Sequence, residues 1–284
     1  MKKEKVEKKK IKNEEKENKK KEISEERKYE KIKLLATIIA IILVLGLIAY
    51  VTNTIIKSQS FSVQNPIATM EVENFGTVKI ELYPDYAPET VTNFIKLANN
   101  GFYDGLTFHR VVKDFMVQGG DPNGDGTGNA TLRDLGEDSD DEYTIPGEFI
   151  ANGYNENTLK HERGVLSMAR GDYSSESTTL LAEGYNSASC QFFITTTDQS
   201  MNLDGLYAAF GKVIEGMDIV DKISQVEIET SSEDESTTSS STDKPVNPPV
   251  ITSIRVETFG IDYGMPETRE PFDVNSWYMS QHGY

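Results

Sequence analysis

The chain has 284 residues, a formal net charge of −17 and a single cysteine. One cysteine excludes any intramolecular disulfide, and the acidic balance argues against nucleic acid as a partner, since phosphates would be repelled. The charge is unevenly laid down: residues 1–33 carry 15 Lys/Arg against 9 Glu, residues 34–56 carry none, and residues from Ser58 onward carry 13 Lys/Arg against 37 Asp/Glu.

Residues 1–33 are rich in Lys and Glu, with hardly an aromatic and no apolar stripe. Such a basic tail is expected to stay disordered. Residues 34–51 are almost all Leu, Ile, Val or Ala and span roughly 27 Å as a helix, close to the thickness of a bilayer core. Residues 52–56 carry the segment on to Lys57. For a cleaved leader the charged stretch and the apolar run are both too long, and neither an A-x-A site nor a lipid-accepting Cys follows. The expectation is an uncleaved transmembrane helix at 34–56, with the Lys-rich flank cytoplasmic and the acidic body exported. The flanking basic tail then adjoins anionic headgroups.

Residues 57–67 read as a linker, and from Ala68 the pattern turns to strands. Residues 77–82 (TVKIEL) alternate polar and apolar, the mark of a half-buried strand. Residues 87–90 (APET) open a helix, with Pro and Glu in its first turn. Val91, Phe94, Ile95, Leu97 and Ala98 give it an apolar face, and Asn99-Asn100-Gly101 ends it. Short apolar runs follow around Phe108, Phe115, Val165, Phe193 and Phe210. A second helix is expected over residues 217–223, and a last strand over residues 250–256. Many short strands with two helices predict a mainly β fold, a closed antiparallel barrel without free sheet edges.

Residues 108–121 (FHRVVKDFMVQGGD) are the most informative stretch. They put a guanidinium, an amide and several large apolar side chains within eleven residues, with no nucleophile, no metal-ligand spacing and no convincing acid–base pair. That inventory suits a reaction in which no covalent bond breaks, such as rotation about a peptide bond. The stretch resembles the central motif of the cyclophilin peptidyl-prolyl isomerases. Residues 164–169 (GVLSMA), 191–194 (QFFI), 203–205 (LDG) and 210–213 (FGKV) resemble the family's later blocks, in order. The resemblance covers residues 68–259 and implies an eight-stranded barrel capped by two helices, here in a membrane-anchored bacterial form. Three acidic or Ser/Thr-rich segments depart from a minimal member: 131–142, 171–186 and the low-complexity loop 230–243. Residues 260–284 form a C-terminal extension.

The resemblance assigns Arg110, Phe115 and Gln118 to catalysis. It assigns Met116, Ala169, Arg170, Gln191, Phe193, Asn202, Leu203 and Tyr207 to substrate binding. Arg170 stands where relatives usually have Asn, Asn202 where many have Trp, and Tyr207 where they have His. The implied activity is cis-trans isomerisation of X-Pro bonds in exported, unfolded or partly folded proteins, without a cofactor. The alternatives are a barrel that holds proline segments with little turnover, and an acidic envelope protein that binds cations loosely. Residues 121–126 copy the start of a calcium loop, D-x-N-x-D-G, but the twelfth position is Leu132, where a bidentate Glu is needed. A Gly-rich turn is the expectation there, with no metal. Cys190 reads as a small buried residue, His109 as structural, facing away from Arg110, and residues 160–163 (KHER) as a solvated turn.

Overall fold

The computed structural model describes residues 2–58, 64–173, 177–198, 201–229 and 243–282, in two units, Met1–Val63 and Gln64–Tyr284. The first unit is one helix, α1 (Lys2–Ser58). Within it, Lys19–Thr52 is long and apolar enough to cross a membrane, with a mean hydropathy of 2.9 over its most apolar stretch. Its large apolar side chains point outward on all sides, from Leu34 to Val51, as in a helix without a polar face. Residues 2–33, expected to be disordered, are helical and continuous with the apolar stretch. Lys and Glu are good helix formers, Glu25 and Lys28, like Glu30 and Lys33, stand at a supporting spacing, and extending a helix is cheaper than starting one.

The second unit is built on one antiparallel sheet. Its strands are β1 (Ile67–Val72), β2 (Gly76–Leu82), β3 (Arg110–Val112), β4 (Met116–Gly119), β5 (Val165–Met168), β6 (Phe192–Thr195), β7 (Ala209–Glu215) and β8 (Ile251–Glu257). They lie in the order β3-β4-β6-β5-β7-β2-β1-β8 and curl into a half-barrel. Backbone bonds from Phe108 N to Pro249 O (2.9 Å) and from Ile251 N to Leu106 O (2.7 Å) tie the chain before β3 to the β8 side. The helices of this unit are α2 (Pro88–Asn99), α3 (Leu181–Tyr185), α4 (Met217–Ile223) and α5 (Val274–His282).

The alternation read at residues 77–82 is the observed one: Val78, Ile80 and Leu82 are buried, while Lys79 and Glu81 are not. The apolar face of α2 packs into the core, where Phe94 meets Tyr103, Phe192 and Phe210 at ring distances of 5.3–5.7 Å. The N-terminus of α2 is capped from a distance. The buried Glu148 accepts from the Glu89 and Thr90 amides at 2.9 and 2.8 Å. Burial raises the Glu148 carboxyl above its usual range, against the downward pull of those two donors. Glu148→Ala leaves two first-turn amides without an acceptor and is expected to destabilise the fold by about 1–3 kcal/mol. A lowered denaturant midpoint at unchanged slope checks it.

The C-terminal extension docks on this unit. Thr144 and Arg269 exchange backbone bonds of 2.9 and 2.8 Å. Among the described residues, the insertion 171–186 holds the 3-10 turn Thr178–Leu180 and α3. Residues 230–242 of the low-complexity loop lie outside the described residues.

Candidate active site

The β3–β4 hairpin turns through Lys113-Asp114, with Asp114 in the left-handed region (φ 57°), a conformation that Asp tolerates better than most residues. This tight turn sets the register. Arg110 pairs with Gln118, and Val112 with Met116. Gln118 in turn pairs with Phe193, and Phe193 with Ser167. Side chains alternate across a sheet, so Arg110, Gln118, Phe193 and Ser167 form one row on one face. Val111, Val117, Ile194 and Leu166 face the core on the other. His109 is buried, opposite to the exposed Arg110, as alternation predicts. Burial lowers its basicity.

Polar contacts run along this row. Arg110 Nη1 donates to Gln118 Oε1 at 3.4 Å, and Gln118 Nε2 donates to Gln191 Oε1 at 3.0 Å. Gln191 Nε2 then donates to the carbonyls of Gly126 and Gly128 at 3.1 and 3.0 Å. The loop that receives it is organised by Asp121, a buried carboxylate. Its two oxygens accept from the amides of Asn123, Asp125, Gly126 and Gly128. The calcium-like motif thus spends its first carboxylate on its own backbone, as an Asx-type turn does. Gly120 precedes it at φ 85°, where an added Cβ would stand 2.8 Å from the Cys190 carbonyl.

The apolar part lies beside this relay. Phe193 is nearly buried, and Tyr207 meets it edge-on at 5.7 Å. Arg170 stacks its guanidinium over Tyr207 at 4.5 Å and reaches Tyr185 and Phe149 at 5.0 and 5.6 Å. Its Nε donates to Leu206 O and its Nη1 to Gly171 O. The residue that departs from the family pattern therefore braces the Tyr207 wall, a cation on aromatic faces. Leu203 fixes the Tyr207 backbone, its carbonyl accepting from Tyr207 N at 3.2 Å. Ala169 N donates to Gln191 O at 2.9 Å. Met116 is buried on β4, half-buried Phe115 ends the hairpin turn, and Asn202 is exposed in the 3-10 turn Met201–Leu203. Phe115 and Asn202 thus sit on turns rather than within the row.

A cavity of about 300 Å³ opens next to Gln118, Ala169 and Gln191, with Tyr173 and Phe272 among its walls. Their rings lie 6.3 Å apart. The C-terminal extension, without an assigned role in the sequence, thus walls this cavity through Pro271 and Phe272. Cys190 lines the same cavity, but burial pushes its thiol up to about 12, so it is no nucleophile at neutral pH.

One sequence expectation fails in an informative way. Residues 160–163 are not simply a solvated turn, because His161 is buried beneath Phe193. The two rings are stacked at 6.1 Å. Nδ1 is 3.1 Å from Asp204 Oδ1, and Nε2 is 3.0 Å from Ser167 Oγ. A carboxylate only accepts, so Nδ1 carries the proton and, in the neutral ring, Nε2 accepts from the serine. Burial lowers the basicity of His161, opposed by Asp204. Asp204 belongs to the LDG block, the one signal in the sequence that pointed here.

Comparison with known proteins identifies one family. The family model for "Cyclophilin type peptidyl-prolyl cis-trans isomerase/CLD" matches residues 67–256. The chain is 39% identical over 157 residues to peptidyl-prolyl cis-trans isomerase B of Bacillus subtilis, covering 55% of this chain and 90% of that protein. It is 38% identical over 159 residues to peptidyl-prolyl cis-trans isomerase-like 2 of Rhizopus delemar, covering 56% of this chain but 25% of that longer relative. Among solved structures, a Cryptosporidium parvum cyclophilin type isomerase crystallised in the presence of the dipeptide Ala-Pro is similar with a TM-score of 0.51. It is 28% identical, covering 67% of this chain and 98% of that one. With the motif residues Arg110, Gln118, Phe193 and Ser167 in register on one sheet face and the family match over residues 67–256, this protein belongs to the cyclophilin-type peptidyl-prolyl cis-trans isomerases.

Proposed function

We propose that the row Arg110–Gln118–Phe193 catalyses rotation about X-Pro bonds by binding the twisted amide better than either planar isomer. Amide resonance sets a barrier of about 18–20 kcal/mol. At the top of it the proline nitrogen regains a lone pair and accepts a hydrogen bond, which it does poorly in the planar state. A fixed donor aimed there lowers the barrier because it binds the transition state more tightly than either planar isomer. Arg110 supplies a permanently charged, forked donor. Phe193, Met116, Phe115, Leu203 and Tyr207 form the apolar cup for the proline ring. Gln118 and Gln191 hold the substrate carbonyls, with Ala169 and Arg170 along the backbone groove. The observation that carries this reading is the register that puts Arg110, Gln118 and Phe193 side by side on one face.

A second reading, a module that holds proline segments with little turnover, is favoured by the exposed Asn202, which offers no broad wall. An isomerisation assay with a short X-Pro peptide separates the two: the first expects turnover that depends on Arg110, the second binding alone. We further read the sheet as closed between β3 and β8, with α2 and α4 over its two ends. The bonds of Phe108 and Ile251 across that seam support this.

We also propose that α1 anchors a bacterial membrane-bound form, with residues 34–56 in the bilayer and the isomerase unit outside the cytoplasm. The basic flank supports this orientation. Uncatalysed X-Pro isomerisation takes tens to hundreds of seconds, long enough to limit the folding of exported proteins, the substrates this location implies. Protease added outside intact cells is expected to digest epitopes after Ser58 and spare those before Lys33. A soluble mature protein starting near Ser58 would instead mean a cleaved leader.

A further inference from the structure

Arg110 is already engaged. Its Nε and Nη2 donate to Asp243 Oδ2 at 3.2 and 3.0 Å, across 133 positions of sequence, while Nη1 faces Gln118. The backbone next to Asp243 is held by a small clasp. Glu229 N donates to Lys244 O at 2.8 Å, and Val246 N donates to Glu227 O at 2.9 Å. The Lys244 ammonium lies 3.5 Å from the Glu229 carboxylate. The carboxylate therefore approaches the guanidinium from an anchored position. It takes the edge of the fork that Gln118 leaves open. A carboxylate is a stronger acceptor than an amide nitrogen or carbonyl, so it competes with what Arg110 is meant to bind.

We propose that Asp243 is an internal competitor for Arg110, an autoinhibitory carboxylate that an X-Pro segment must displace. The proposal rests on the reading of Arg110 as transition-state donor given above. The contact is partly exposed, with side-chain exposures of 46% for Arg110 and 25% for Asp243. Pairs of this kind are worth up to about 1 kcal/mol, a factor of about five. The apparent affinity for substrate falls by the fraction of molecules in which Arg110 is free. Removing Asp243 restores that fraction, while the sheet row itself is untouched.

The test compares the full chain in detergent with Asp243→Ala on a short X-Pro peptide, by kcat/KM and by calorimetric affinity. At about 10 mM ionic strength, where screening reaches only beyond about 30 Å, Asp243→Ala is expected to raise both about three- to fivefold. At about 150 mM, where the Debye length is about 8 Å, the wild type should move toward the variant and the variant should stay nearly still. A variant that is equal to or slower than the wild type overturns the proposal, since the carboxylate then orients Arg110 or is a bystander. Affinity decides the matter even if turnover is absent, because an unchanged affinity also overturns it. Arg110→Ala on the Asp243→Ala background separates the two readings. If it is as fast as its parent, the role given to Arg110 fails. If it is slow while Asp243→Ala gains nothing over the wild type, only the competitor fails.

Discussion

Arg110→Ala is expected to lower kcat/KM for X-Pro peptides by about 10²–10³, the loss of one preorganised transition-state donor, or about 2.7–4 kcal/mol. The fold should survive. Arg110 is an exposed residue of β3 that pairs with the Asp243 carboxylate and makes a long 3.4 Å bond to Gln118, and an exposed ion pair is worth at most about 1 kcal/mol. The two effects are therefore separable: activity collapses while the unfolding midpoint moves little. Arg110→Lys should recover only part of the loss. A point charge keeps the sign but not the planar fork that serves Gln118 and a second acceptor together. Gln118 gives an internal check, because it contacts both Arg110 and Gln191. Its removal should loosen the guanidinium without deleting it, and cost less than Arg110→Ala. Near-normal kcat/KM in Arg110→Ala would sink the mechanism.

What was legible in the sequence follows from how local each determinant is. Arg110 and Gln118 are register partners across a three-residue turn, so eight positions of sequence already contain their relation. The β2 alternation and the α2 face are local in the same sense. Phe193 and Gln191 joined them only through the family blocks, since pairing β4 with β6 closes a loop of more than seventy residues. His161 was misread because its neighbours are Lys, Glu and Arg. Its burial is decided by Asp204, 43 positions away, and by Phe193 above it. Composition predicts solvation for such a tetrapeptide, and tertiary contacts override it. The basic tail is a different case: its composition says only that it has no packed core to join, whereas a helix needs only propensity and a continuing neighbour. Asp243 was hidden inside a low-complexity run in which no single acid stands out.

His161 should also make stability fall in acid well before the carboxylates titrate. Burial holds its folded-state basicity below the ordinary value of 6.5, and the same is true of His109. In the window below 6.5 the unfolded chain takes up protons that the folded chain refuses, so stability is full above that pH and declines as the pH drops through it. The slope is about 1.4 kcal/mol per pH unit for each histidine, until the lowered folded value is reached. Asp204, lowered by its His161 and Lys160 contacts against desolvation, adds a separate loss only below the ordinary carboxylate value of 3.8. Denaturant unfolding between pH 8 and pH 5, followed by near-ultraviolet circular dichroism, measures the slope. His161→Gln keeps a donor toward Asp204 but no longer titrates, so one histidine's share should vanish. A flat wild-type profile, or an unaltered slope in the variant, would refute the buried neutral ring. His161→Ala goes further: it opens a cavity under Phe193 and leaves the fully buried Ser167 hydroxyl without its partner. A loss of about 2–4 kcal/mol is expected. In the proposed proline cup Phe193 is the floor, so its loosening should also raise KM more than it lowers kcat, which a purely structural histidine far from the site would not do.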